Sequence, residues 1–218
     1  MNVSKLLLVG MATLAFTCST EQNSNEKEVA KIGSRISRET AEAMIGNAAG
    51  RQPQQRFHLY GKTMLEEILH VDEAEGILIF NSLDDAGDTR LIFRPANKNG
   101  DVVPNSFSYD DGAICPPSCA KENISSIGKI IEEPQAEKWI KSFRTSNSSG
   151  AYSFLFGKNV FNQLLAYPGV AGVAFVKGTK SSGQDALVLI GVSESGEIQW
   201  DRSFDDGQIC PPNCPKPK

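Results

Sequence analysis

Four cysteines in two near-identical stretches are the residues of this chain best suited to chemistry. Residues 108–119 read SYDDGAICPPSC and residues 203–214 read SFDDGQICPPNC, with nine of the twelve positions identical. Cys115 and Cys119 form one pair, Cys210 and Cys214 the other, and Cys18 is the fifth cysteine of the chain. Thiols at this spacing can close a local disulfide, hold a soft metal ion as thiolates, or cycle as a reactive pair. The backbone favours the first use. A residue before proline is held extended, and Pro117 followed by Ser118 suits the centre of a turn that returns Cys119 towards Cys115. Closing so short a loop contributes only about 2 kcal/mol, whereas bridging one pair to the other would contribute about 5 kcal/mol.

The other two uses remain open. Four thiolates suit zinc and one pair suits Cu(I), although neither stretch has a histidine nearby. The spacing resembles the copper-binding C-P-x-x-C pair of thioredoxin-like assembly factors. Those place the pair at the start of a helix, whereas prolines follow here. For thiol reactivity, Asp110, Asp111, Asp205 and Asp206 oppose the low thiol pKa that such chemistry needs.

The rest of the chain offers little to a catalytic reading. His58 and His70 face Phe154 and Ala166 at the corresponding positions of the second half, and read as a strand and a helix-end histidine. Gly61-Lys62-Thr63 lacks the earlier glycine of a phosphate loop and reads as a strand-to-helix turn, while Lys62 and Lys158 recur as candidate anion contacts. No catalytic residue, metal or cofactor is expected. A formal net charge of −4 and a pI near 5.3 exclude nucleic acid, which needs a basic footprint.

The start of the chain carries an address. Lys5, an apolar run over residues 6–16 and then Leu14-Ala15-Phe16-Thr17-Cys18 resemble a bacterial lipoprotein leader, cut before a cysteine that is then acylated. The resemblance implies lipidation at Cys18 and a location in the bacterial cell envelope, facing periplasm or cell surface. Residues 18–34 are polar and read as a flexible tether.

Between leader and end the sequence repeats with a period of about 95 residues. Leu59-Tyr60-Gly61-Lys62 matches Leu155-Phe156-Gly157-Lys158, and Gly76-Ile77-Leu78-Ile79-Phe80 matches Gly172-Val173-Ala174-Phe175-Val176. A period this long means two domain-sized copies. Each copy predicts an amphipathic helix (37–47; 133–144), a strand (57–60; 152–156), a second helix after Gly61 or Gly157, a hairpin and a last strand. The fold expected is α+β: two homologous modules in the order α-β-α-β-β-β, each with two helices on a small, mostly antiparallel sheet. The boundaries expected are leader 1–17, tether 18–34, module 35–120, linker 121–130 and module 131–218.

Residues 155–158, Gly172-Val173-Ala174-Phe175, the run 187–192 and the closing Cys210-Pro211-Pro212-Asn213-Cys214 resemble a group of small bacterial proteins without an assigned activity. Those are typically a single module ending in C-P-P-x-C. Copy one departs from the pattern with Arg94-Pro95 where copy two has Ile190-Gly191. The sequence therefore predicts a non-enzymatic, membrane-tethered interaction or structural protein, with a protein or small molecule as partner. The alternative is an exported metal-handling or thiol-redox protein using the two cysteine pairs.

Overall fold

The computed structural model describes residues 28–49, 56–116, 123–147, 150–212 and 214. Among them the first half contains β1 (Ser34–Ile36), α1 (Arg38–Ala49), β2 (Phe57–Gly61), α2 (Lys62–Leu69), β3 (Gly76–Leu83), β4 (Thr89–Ala96), β5 (Ser108–Asp110) and β6 (Ala113–Cys115). The second contains β7 (Lys129–Ile131), α3 (Glu133–Ser146), β8 (Ser153–Gly157), α4 (Lys158–Ala166), β9 (Val170–Thr179), β10 (Asp185–Ser193), β11 (Ile198–Asp205) and β12 (Gln208–Cys210). Ahead of α1 the Ser37 hydroxyl accepts the Thr40 N–H at 3.2 Å, and Pro134 sits in the first turn of α3. α2 starts directly after Gly61, with no side-chain cap.

The class is α+β, with four α-helices among the described residues and two antiparallel six-stranded sheets. The sheets do not follow the expected division at 35–120 and 131–218. One runs β1-β11-β10-β9-β2-β6 and the other β12-β8-β3-β4-β5-β7. Each half thus contributes its β-hairpin and the strand after it to the sheet framed by the other half. Phe57 pairs with Val176, and Phe80 with Ser153. The exchange is continuous through the repeated stretch, because β5 belongs to one sheet and β6 to the other, with Asp111 between them at φ 70°. Asp206, at φ 62°, makes the same step between β11 and β12. The repeated stretch is therefore a crossover between sheets.

Alternation along the strands sorts side chains into layers. Val173 and Phe175 join the core between the sheets, with Tyr60, Ile77, Ile79, Phe93 and residues of α2 and α4. Tyr60, Phe93 and Phe175 meet there with ring centroids 4.4–5.7 Å apart, an arrangement that adds to the area they bury. Val176, Val188 and Ile190 face outward beneath α1, and Leu78, Phe80 and Ile92 beneath α3.

Two segments read as connectors are parts of this body. Val29, Ala30 and Ile32, placed in the tether, are buried, and β1 pairs with β11. Ile124, placed in the linker, is fully buried, and β7 pairs with β5. The physical reason is that short 3-10 turns at Val29–Lys31 and Ile124–Ser126 set these apolar side chains on the outer sheet faces. Ile32-Gly33 and Ile127-Gly128 extend the repeat into both segments, each glycine at φ near +100°.

Candidate functional site

The inward-facing stripes change character at one end of the sheets. In β9 the stripe runs Val173, Phe175, Lys177, and in β3 it runs Ile77, Ile79, Asn81. In β2 it passes from Tyr60 to His58. The last member of each lines a cleft of 510 Å³ between the tips of the β3–β4 and β9–β10 hairpins, closed at its sides by the ends of α1 and α3. Thr89 and Asp185, opening β4 and β10, line it as well, and Phe143 and Phe154 give it aromatic walls.

Its polar groups are poorly matched by the protein itself. Asn81 is 3% exposed; its Nδ2 donates to the Ala151 carbonyl at 2.8 Å, but its Oδ1 meets no donor. A buried acceptor left so is costly, on the order of 1–3 kcal/mol. His58 is 4% exposed and makes no side-chain hydrogen bond among the described residues. Burial, with the positive charges of Lys177, Arg90 and Arg56, pushes its pKa down to about 3. At neutral pH it is an uncharged imidazole with one donor and one acceptor.

Lys177 is the third mismatch. Part of the side chain reaches the surface, yet the surrounding protein is dense enough to push its pKa down to about 8 against the pull of Asp185. Its Nζ lies 5.4 Å from the centre of the Phe143 ring and has no ion-pair partner among the described residues. Asp185 is engaged elsewhere, its Oδ2 accepting the Ala151 N–H at 2.9 Å. The other cations are paired, Arg56 with Asp88 at 3.2 Å and Arg90 with Asp84 at 3.0 Å. Lys177 is thus the cleft cation without an ion-pair partner among the described residues.

The cysteines lie elsewhere. Cys210 and Cys214 form a disulfide with Cα atoms 4.5 Å apart. Cys115 is also disulfide-bonded, and Cys119 and Cys18 lie outside the described residues. The Cys115–Pro116, Cys210–Pro211 and Pro211–Pro212 peptide bonds are cis. No described cysteine lines the cleft, and no group of three or more His, Cys, Asp and Glu side chains gathers among the described residues.

Two carboxylates of the repeated stretch are buried, and Asp110 Oδ1 accepts the Gly112 N–H at 3.4 Å. Asp110 lies 2.7 Å from the Tyr60 hydroxyl, and Asp205 pairs with Lys180 at 3.5 Å. Burial raises the pKa of both. Of the recurring lysines, Lys62 donates to the Leu165 carbonyl at 2.8 Å and lies 3.7 Å from the Glu66 carboxylate, and Lys158 donates to the Ala74 carbonyl at 3.2 Å, so each satisfies an acceptor of the other half. His70 ends α2 in solvent, its Nδ1 2.6 Å from the Glu66 carbonyl oxygen.

Sequence reasoning missed Asn81, Lys177 and Asp185 and set His58 aside. The available signal was a polar residue ending an apolar alternation, as in Val173-Ala174-Phe175-Val176-Lys177. No family model, no curated protein and no solved structure matches this chain.

Proposed function

We propose that this chain is a lipid-anchored binding protein of the bacterial cell envelope, without catalytic activity, that takes a small molecule in the cleft between the hairpin tips. The orphaned Asn81 Oδ1 carries the reading: an unsatisfied buried acceptor on a residue that lines the cleft supports a ligand that brings a donor. The bare Lys177 ammonium points the same way. The anchor rests on the leader-like segment ending at Cys18, and two or three acyl chains would hold the body at a membrane stably. The repeat in the sequence is best explained by duplication of an ancestral unit, whose two copies then exchanged hairpins.

The test is native mass spectrometry of the full chain extracted from producing bacteria in mild detergent. The expected result is an acylated Cys18 and a co-purifying small molecule whose mass does not change on incubation. Protein recovered only without acyl chains would sink the anchor. An Asn81→Leu variant carrying the same molecule in the same amount would sink the cleft as its seat.

The thiol-redox alternative keeps one observation in its favour, an exposed Cys214 bonded to a buried Cys210. Reversible reduction of that pair at a cellular thiol potential would support it.

A further inference from the structure

We infer that the cleft is built for a small organic acid with a hydroxyl or amino group next to its carboxylate and an apolar body. The carboxylate pairs with Lys177, the neighbouring donor meets Asn81 Oδ1, and the apolar part lies against Phe143 and Phe154. This rests on the binding reading above and specifies its ligand.

Each part of the assignment answers a separate mismatch. Lys177 is a cation in a confined space with an aromatic ring beside it and no paired carboxylate. Asp185, the acid that acts on it, is held by the Ala151 N–H. Arg56 and Arg90 carry their own acids, Asp88 and Asp84, so neither competes with Lys177 for the ligand. A carboxylate is the complement to such a site, and a neutral or cationic ligand is not. Asn81 Oδ1 can only accept, which demands a donor on the ligand. His58, uncharged, can donate to the same carboxylate without adding a titrating charge of its own near neutral pH. The cleft volume of 510 Å³ accommodates a ligand somewhat larger than a single amino acid.

The experiment is calorimetry on the detergent-solubilised full chain with three probes: 3-phenyllactate, its neutral amide, and 3-phenylpropionate, which lacks the hydroxyl. The acid should bind at least tenfold more tightly than the amide and several-fold more tightly than phenylpropionate. Lys177→Met should abolish the preference for acid over amide while leaving amide binding in place. Asn81→Leu should erase the advantage of the hydroxyl. Wild-type affinity for phenyllactate should fall as pH rises through 8, where Lys177 loses its proton, a readout that a merely structural lysine would not move.

Equal binding of acid and amide, or an acid preference surviving in Lys177→Met, overturns the inference while leaving the cleft as a binding site. Silence from all three probes on folded protein also overturns it. The co-purification experiment is independent of these probes and decides the broader reading by itself.

Discussion

At the crossovers the two halves carry nearly the same residues, SYDDGAIC and SFDDGQIC, whereas at the cleft the corresponding positions have parted company. Asn81 stands where the other half has Lys177, His58 where it has Phe154, and Thr89 where it has Asp185. Both regions join corresponding elements of the two halves, so their place in the fold does not separate them. Their mechanical duties do. A crossover must carry the chain from one sheet to the other through a left-handed residue, then pass a glycine over the ring of Tyr60 or Phe156. Few residues satisfy that, and both halves need it. The cleft is one space shared by both halves, so a symmetric lining is not required. Divergence there yields a site with a cation on one hairpin and an orphaned acceptor on the other.

The comparison can be broken most forcefully at the crossover. A Cβ added at Gly207 would sit 2.6 Å from Cζ of the buried Phe156 ring, which has no room to retreat. Gly207→Ala should lower unfolding free energy by about 3 kcal/mol in urea titrations. A loss under about 0.5 kcal/mol, the ordinary range for surface changes, would show that the motif is not held by packing.

The next effect separates the crossovers from each other. Asp205 relies on Lys180, whose side chain is 24% exposed, while Asp110 relies on the Tyr60 hydroxyl. Lys180→Met should cost about 2 kcal/mol, discounted for its contact with solvent, and Tyr60→Phe about 1 kcal/mol. The two measured by chemical denaturation should add, since the sites share no partner. Strong coupling would mean that the crossovers act as one unit.

Acid sharpens the view of the cleft. Folded His58 stays uncharged down to about pH 3, whereas an unfolded histidine takes its proton near 6.5. Between those values the unfolded chain binds more protons, so stability falls as pH drops, by at most about 1.4 kcal/mol per unit. His58→Phe, which copies the other half, should flatten that slope in melting curves taken from pH 7 to pH 4. An unchanged slope would mean that other groups carry the acid sensitivity.

The smallest effect has the opposite sign. Lys177→Met removes a cation held against burial and should raise the melting temperature at pH 7 by a few degrees, equivalent to about 1 kcal/mol. A drop instead would assign Lys177 to the scaffold. Stabilisation together with lost acid binding is the pattern of a residue kept for a ligand.

Much of the local structure was legible in the chain. Ser37 and Pro134 start helices because their side chains favour that position whatever surrounds them. The apolar runs 172–176 and 187–192, each bounded by polar turns, mark strands because a strand buried on both faces reads as a short unbroken apolar run. Burial of Val29 and Ile124 was not legible, since one or two apolar residues in a polar stretch do not announce the surface that receives them.

What the sequence determined by itself was the α+β class and where the apolar strands and amphipathic helices lie along the chain. Partner choice was decided only in three dimensions. Backbone N–H and C=O groups are the same in every strand, so nothing in residues 57–61 names β9 over β3 as neighbour. That choice comes from how a whole hairpin fits between the sheets. The cleft comes with it, because Lys177 and Asn81 share one space only after each hairpin has crossed to the opposite frame.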